Sequence, residues 1–297
     1  MILIDGTNLH LRLLNGLKYK DNYHMKFLNN IRSLSKRFND NLIMVAWDIS
    51  PSQFRTSLYA DYKGGLRSNV PNVVLQHRNK TLMELHSKVL PICGITSVCL
   101  SGVEADDIIY GMCQKYSVED KVIVSEDQDY LQLINSTTKV YQPIKKHLID
   151  DDSLCAQFGV SDIELATKLV LIQKCLKGDP SDNIKRIPSI GDVTLARIIK
   201  GYTVGTFLEG DRNLLKQHKE AIEVHRKLVS LKEIPAVWAQ QINQRIDAAV
   251  NSAHQYSNNG ELVSEVVSEF GLFEVADEFF LYRDALDEFL GGVSDGD

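Results

Sequence analysis

The sequence predicts an α/β fold: a mostly parallel central sheet covered by helices, followed by a smaller, wholly helical region. Three observations predict it. Four short apolar runs recur within residues 1–125 without apolar/polar alternation, as expected of strands buried on both faces. Each run leads into acidic residues. Helical periodicity fills the intervals, at 27–38 and 81–90, and takes over beyond residue 150.

The first run, Met1-Ile2-Leu3-Ile4-Asp5, reads as a strand followed by a turn at Gly6-Thr7-Asn8. The second covers 42–48 and ends on Asp48. The third, 95–100, leads to Glu104-Ala105-Asp106-Asp107, and the fourth, 121–125, leads to Glu126-Asp127-Gln128-Asp129. In parallel sheets ligands bind at the carboxyl ends of strands, so these acids converge on one edge. Asp106 is expected to open a helix, with Glu104 and Asp107 one turn apart on one face. Taken alone, this cluster has a bland reading: acids in a first turn complement the helix dipole. It also suits a hard cation, which prefers carboxylate oxygens. Beyond 150, an amphipathic helix over 165–176 runs into Gly178-Asp179-Pro180-Ser181-Asp182-Asn183, where Asp179 and Asp182 can face one way. Residues 187–197 read as a glycine turn opening a helix, whose first N–H groups can hold a phosphate. Helices are expected over 214–228 and 237–250. A break at Ser257-Asn258-Asn259-Gly260 precedes an acidic helical stretch over 261–290, and disorder is expected from Gly291.

Composition excludes several classes. No apolar segment approaches the ~20 residues of a membrane span, and the start lacks a signal-like basic flank. Five cysteines without a Cys-x-x-Cys pair argue against zinc and a disulfide frame, and for a reducing, cytoplasmic compartment. The net charge of −6 hides an uneven distribution. Residues 51–91 carry six Lys/Arg against two Asp/Glu, and residues 174–227 carry eleven against seven. Residues 255–297 carry eleven acids and one base, Arg283.

Several segments occur in the order and spacing of a known family. These are Ile4-Asp5-Gly6; Trp47-Asp48 with Phe54-Arg55 and Tyr62-Lys63-Gly64-Gly65-Leu66-Arg67; and Glu104-Ala105-Asp106-Asp107. Ser125-Glu126-Asp127-Gln128-Asp129-Tyr130 and Lys177-Gly178-Asp179-Pro180-Ser181-Asp182-Asn183-Ile184 complete the set. Together they resemble the structure-specific 5′-nucleases, the flap endonucleases and 5′–3′ exonucleases of replication. The phage ribonuclease H type of T-even phages is the most similar in pattern.

The resemblance implies an α/β nuclease domain over 1–183, with a helical arch at about 51–90, and a helical DNA-binding domain over 184–297 with an acidic end. It implies two Mg²⁺ ions, with Mn²⁺ able to substitute, held by Asp5, Asp48, Glu104, Asp106, Asp107, Asp127, Asp129, Asp179 and Asp182. Glu126 has no matching role. Glu104, Asp106, Asp107 and Asp127 would lie nearer one ion, and Asp129, Asp179 and Asp182 nearer the other. Asp5 and Asp48 would stand beneath. Without those nine charges the net of −6 becomes +3. Lys63, Arg67 and Arg55 would be catalytic. Tyr62, Lys63, Arg67, Gly191, Thr194 and Arg197 would bind nucleic acid, the basic arch offering phosphate contacts and aromatic stacking. The glycine turn departs from the family's Gly-x-Gly-x-Lys-Thr-Ala form, which bears on duplex binding and on a monovalent ion placed there in some relatives.

The activity implied is 5′–3′ exonuclease, flap endonuclease and RNase H, removing RNA primers and 5′ flaps. The partners implied are DNA with a 5′ flap or nick and an RNA–DNA hybrid, with the protein a monomer in the host cytoplasm if phage-encoded. Glu269-Phe270-Gly271-Leu272-Phe273 and Phe279-Phe280 could dock a sliding clamp or single-strand-binding protein, but aromatics at helical spacing are more often core. A PIN-type ribonuclease shares the acid-edged sheet but not Asp179 and Asp182. A non-catalytic replication DNA-binding protein would have no use for nine acids at one edge. A haloacid-dehalogenase-like phosphatase needs an aspartate where Leu3 stands.

Overall fold

The computed structural model describes residues 1–14, 22–64 and 72–294. Six strands, β1 (Ile2–Asp5), β2 (Ile43–Trp47), β3 (Thr96–Cys99), β4 (Lys121–Val124), β5 (Thr138–Gln142) and β6 (His147–Ile149), form one sheet in the order β3-β2-β1-β4-β5-β6. All pairings are parallel except β5 with β6. The order reverses between β1 and β4, and such a switch point opens a crevice at the strand ends. Asp5 ends the strand on one side of that crevice.

The first four strands carry no alternation because helices cover both faces. Leu3, Met44, Ala46, Val98 and Ile123 point into one core, shared with helices Ala105–Lys115 and Ala236–Ser257. Ile2, Ile4, Ile43, Val45 and Trp47 point into the other, shared with helices Gly6–Leu14 and Tyr23–Phe38. β5 and β6 are absent from the sequence reading, since Thr-Lys-Val-Tyr-Gln mixes charge with β-branched residues.

Several expectations are corrected. Gly6-Thr7-Asn8 is the first turn of helix Gly6–Leu14 rather than a loop. A Cβ on Gly6 would lie 2.6 Å from Val45 Cγ1, so the helix can start only with glycine against β2. The helix expected over 81–90 is an α-helix, Asn72–Glu84, continued by a π-helical turn, Leu85–Val89. That expected over 214–228 breaks at His218 into Glu209–Gln217 and Lys219–Val229. Residues 291–294, expected to be disordered, end helix Phe279–Ser294.

The helices beyond residue 162 pack in two ways. Small clusters around Cys175, Ile184 and Leu228, and around Leu176, Ile187 and Leu195, hold the helices of 163–229 together. The chain then returns to the sheet. Ile242, Ile246, Val250 and Leu286 enter the first core, while Val266, Leu272, Val275 and Phe279 enter the second. Amphipathic helices so spaced are usually buried on the nearest apolar surface, here both faces of the sheet. Of the aromatics with a docking reading, Phe279 is core, whereas Phe273 and Phe280 stay exposed. Among the described residues no helix is long and apolar enough to cross a membrane.

Two histidines take buried structural positions. His10 lies buried between the Tyr23 hydroxyl and the Arg78 carbonyl, and His86 between Ser97 and Cys99. Burial pushes both imidazoles down to about 4. An exposed imidazole titrates near 6.5, so the unfolded chain takes up these protons first. Each contribution is intact above pH 6.5 and is lost as pH falls toward 4, reaching about 2 kcal/mol per histidine at pH 5. Urea denaturation at pH 7.5 and pH 5 should show that acid-dependent loss reduced by about this amount in His10→Gln. An unchanged loss would assign the titration to other groups.

Candidate metal centre

The carboxyl ends of β1, β2 and β4 and the start of helix Ala105–Lys115 bring the acids together. Asp5 is buried. Its oxygens accept from the Asn8 backbone N–H (2.9 Å), the Ser125 hydroxyl (2.9 Å) and the Tyr130 hydroxyl (3.3 Å). Asp48 follows β2 directly. Thr7 Oγ1 accepts its backbone N–H at 2.8 Å, and its own Oδ1 accepts the Ala105 N–H. An acid from one strand thus caps the helix that presents the next three.

Glu104, Asp106 and Asp107 form one triad, with one carboxylate oxygen from each lying within 4.8 Å of the others. Asp129, Asp179 and Asp182 form a second on the same criterion. Local geometry fixes the latter. Asp127 caps the 3-10 turn Gln128–Leu133 by accepting the Asp129 N–H at 2.9 Å, and Asp179 caps the turn Pro180–Asp182 through the Ser181 N–H at 2.8 Å. Asp127 is exposed, whereas Asp129 is buried.

Three cations are built into the acids. Arg55 is 2% exposed and donates from Nη1 to Glu104 (2.9 Å) and Asp107 (2.7 Å), and from Nη2 to the other Asp107 oxygen (2.8 Å). Its Nε donates to the Leu228 carbonyl at 2.8 Å. Lys63 Nζ donates to Glu104 Oε1 at 2.6 Å and lies 3.6 Å from Asp182. Lys174 contacts Asp129 and lies 2.8 Å from Asp179. Each lysine therefore ties an acid of the α/β part to one of the 179–182 turn.

Nine carboxylates nevertheless meet three cations, and burial makes several of them harder to ionise. Burial pushes Asp5 and Asp182 up to about 6. Burial and then the neighbouring charge of Asp5 push Asp48 up to about 7. Burial and then Asp127 push Asp129 up to about 8. Burial opposes ionisation of Asp179 too, but Lys174 and Ser181 outweigh it and hold the carboxyl below its ordinary value. Crowded oxygen ligands that lack counter-charge fit hard divalent cations.

The structure separates the other expected site residues. Arg67 lies outside the described residues. Arg55 has no face from which to touch a substrate; it positions acids. Tyr62, expected to stack on bases, is buried, and its hydroxyl donates to Glu104 at 2.8 Å. Lys63 is partly exposed at the rim. Gly191 caps helix Asp192–Val204 and is exposed, with Thr194 half-buried in its first turn. Arg197 is committed to Asp211 by two hydrogen bonds, 2.7 and 2.5 Å, so its fork is engaged within the protein. Lys174 was missed. Its one signal is position: it lies in the last turn of helix Ile163–Lys177, just before Asp179, where an inward lysine needs a partner.

A family model described as the 5′-3′ exonuclease, N-terminal resolvase-like domain matches residues 1–159. The chain is 31% identical over 183 residues to a 5′-3′ exonuclease of Buchnera aphidicola, covering 60% of this chain and 58% of that protein. It is 30% identical over 212 residues to a 5′-3′ exonuclease of Aquifex aeolicus, covering 69% and 70%. A match to DNA polymerase I of Pseudomonas aeruginosa is 28% identical and covers 70% of this chain but 22% of the polymerase. The matched stretch thus spans less than two thirds of the Buchnera protein. Among solved structures, the phage T5 D15 protein co-crystallised with metal ions superposes with a TM-score of 0.68 at 19% identity, covering 85% of this chain and 98% of that one. The T5 D15 flap endonuclease in complex with DNA and metal ions gives 0.66 at 19%, with the same coverage. At that identity the likeness is one of fold, and it is the α/β fold expected from the sequence.

Removing Arg55 would leave buried acids without their nearest charge. In chelator, Arg55→Ala should lower stability to urea by about 3–5 kcal/mol, the usual cost of breaking a buried ion pair. Arg55→Lys, which keeps the charge but not the fork, should fall between. A loss under about 1 kcal/mol would show that the acids do not depend on this guanidinium.

Proposed function

The chain belongs to the 5′-3′ exonuclease family, whose N-terminal domain its residues 1–159 match, and from that premise we propose that it is a divalent-metal-dependent 5′ nuclease. It would hydrolyse phosphodiesters in DNA bearing a 5′ flap or nick and in RNA–DNA hybrids. The observation that carries this reading is the pair of acid triads at the carboxyl edge of the sheet, stitched by Lys63 and Lys174. Mg²⁺, with Mn²⁺ able to substitute, is the fitting metal for an all-oxygen donor set.

Glu104, Asp106, Asp107 and Asp127 would hold one ion and Asp129, Asp179 and Asp182 the other. Divalent ions there would supply Lewis-acid stabilisation of phosphate charge and an acidified water. The rest falls to the protein's own groups. Arg55 and Tyr62 fix Glu104 and Asp107 by hydrogen bonds, so the first triad keeps one geometry without substrate. Asp5 and Asp48 fix the floor through Ser125 and Ala105. Lys63 is the cation at the rim, 31% exposed at its side chain, and its ammonium can meet a phosphate oxygen as negative charge develops. Arg67 would act beside it.

The basic zone of 51–91 would take the 5′ strand. The N-terminus of helix Asp192–Val204 at Gly191 and Thr194 would take duplex backbone, since unpaired N–H groups there favour phosphate. Primer removal, an RNase H role like that of the T-even phage type, and action in the cytoplasm as a monomer belong to this same reading. It rests there on the sequence resemblance. Exposed Phe273 and Phe280 are the residues a clamp or single-strand-binding protein would meet.

Asp127 is exposed, so Asp127→Asn should fold normally. It should cut turnover in Mg²⁺ by at least about a hundredfold, while substrate binding in Ca²⁺ changes by less than about threefold. Undiminished turnover would remove Asp127 from the metal set. Lys63→Ala should lower the single-turnover rate more than it weakens binding, and equal losses would make Lys63 a positioning group. Flap, nicked and hybrid substrates of one sequence, each compared with and without chelator, test the substrate class. Cleavage that survives chelation would overturn the metal-dependent reading.

A further inference from the structure

A second polar cavity, of about 230 Å³, lies against β3, and none of its lining residues belongs to either acid triad. Ser97 of β3, Ser87 of the π-helical turn, and Arg245, Ser252 and Tyr256 on one face of helix Ala236–Ser257 supply its polar wall. No carboxylate lines it, although the chain holds 39 acids. Arg245 donates from Nε to the Cys99 carbonyl at 3.0 Å and forms no ion pair among the described residues. An arginine among hydroxyls, with no carboxylate in the wall to pair it, marks a place for an anion.

The side of the cavity against β3 is preorganised. Ser97 is buried; its oxygen accepts from Trp47 Nε1 at 2.8 Å and lies 2.9 Å from His86 Nδ1. His86 Nε2 lies 3.1 Å from the Cys99 sulfur. With the thiol donating to Nε2 and Nδ1–H donating to Ser97, every group in the chain is satisfied and the Ser97 oxygen has accepted twice. Its own O–H is then left for the cavity. The π turn, a rare geometry that recurs at functional sites, places His86 behind Ser97 and Ser87 at the wall.

We propose that this cavity binds a phosphate group, gripped by the Arg245 fork and by the hydroxyls of Ser97, Ser252 and Tyr256. Its volume is below that of sites for drug-sized ligands, which suits a single phosphate. The phosphate is either that of a nucleic-acid backbone, which rests on the nuclease reading, or a free phosphate, which does not.

Calorimetric titration of the full chain with inorganic phosphate in EDTA tests the cavity while the acid triads hold no metal. Saturable binding to the wild type is expected, at least about tenfold weaker in Arg245→Gln and severalfold weaker in Ser252→Ala, a half-buried surface change that leaves the core intact. Absence of saturable binding to the wild type overturns the proposal, as does equal binding by both variants. Binding of a flap oligonucleotide over a salt series distinguishes the sources. If the backbone is the ligand, the slope of log K against log salt falls by about one in Arg245→Gln. If free phosphate is the ligand, that slope is unchanged while the phosphate titration is still weakened. Failure of the nuclease reading would show as absent cleavage in Mg²⁺ and would leave the phosphate titration unaffected.

Discussion

A single guanidinium holds the acid centre in place. Arg55, fully enclosed, meets both oxygens of Asp107 and one of Glu104, and its remaining Nε donates to the Leu228 carbonyl. Removing that many charges from water costs several kcal/mol per ion, and only dense pairing with hydrogen bonds offsets it. The consequence is geometric. Helix Gln53–Leu58, the start of helix Ala105–Lys115 and the end of helix Lys219–Val229 are fixed to each other through one side chain. Sheet edge, basic zone and helical unit therefore share a hinge-free junction.

Around that junction the chain uses its other cations sparingly. The loop before Gly64 is stitched to the 179–184 turn by backbone and side chain. The Lys63 N–H donates to the Asp182 carbonyl at 3.0 Å, and Asn183 Nδ2 donates to the Asp61 carbonyl at 2.9 Å. Lys63 and Asn183 both take left-handed backbone, φ 52° and 59°, which side-chain-bearing residues seldom adopt unless the surroundings hold them. That strain is consistent with a site whose distances matter more than its local comfort. The lysines span the two halves but leave most of the negative charge uncompensated.

How much of this was legible depends on the residue. Buried parallel strands write continuous apolar runs, so β1 to β4 and the acids after them could be read directly. β5 could not, because Thr138, Lys139 and Gln142 dilute the signal on a strand near the sheet's edge. Asp179 and Asp182 were visible as spacing. Lys174 was not, since an inward lysine and a solvated one look alike in an amphipathic helix. Tyr62 and Arg55 were visible as residues but not as buried donors, because their burial comes from long-range packing against Leu228 and Glu104. The return of residues 236–294 to the sheet was hidden for the same reason: an apolar stripe records that a helix is covered, not by what.

That return has an electrostatic consequence. Residues 255–294, with nine acids and one base, wrap the faces of the sheet rather than extending the basic zones. A polyanion approaching such a surface is repelled from these acid-rich helices and drawn toward the basic residues of 51–91 and 174–227. Binding and hydrolysis then impose opposite demands at one edge, since the acids that repel phosphate are those that would hold the ions attracting it. On the proposed reading metal occupancy would resolve the conflict: it would turn the acid-lined edge into a part that phosphate prefers, so recognition and chemistry would depend on the same ions.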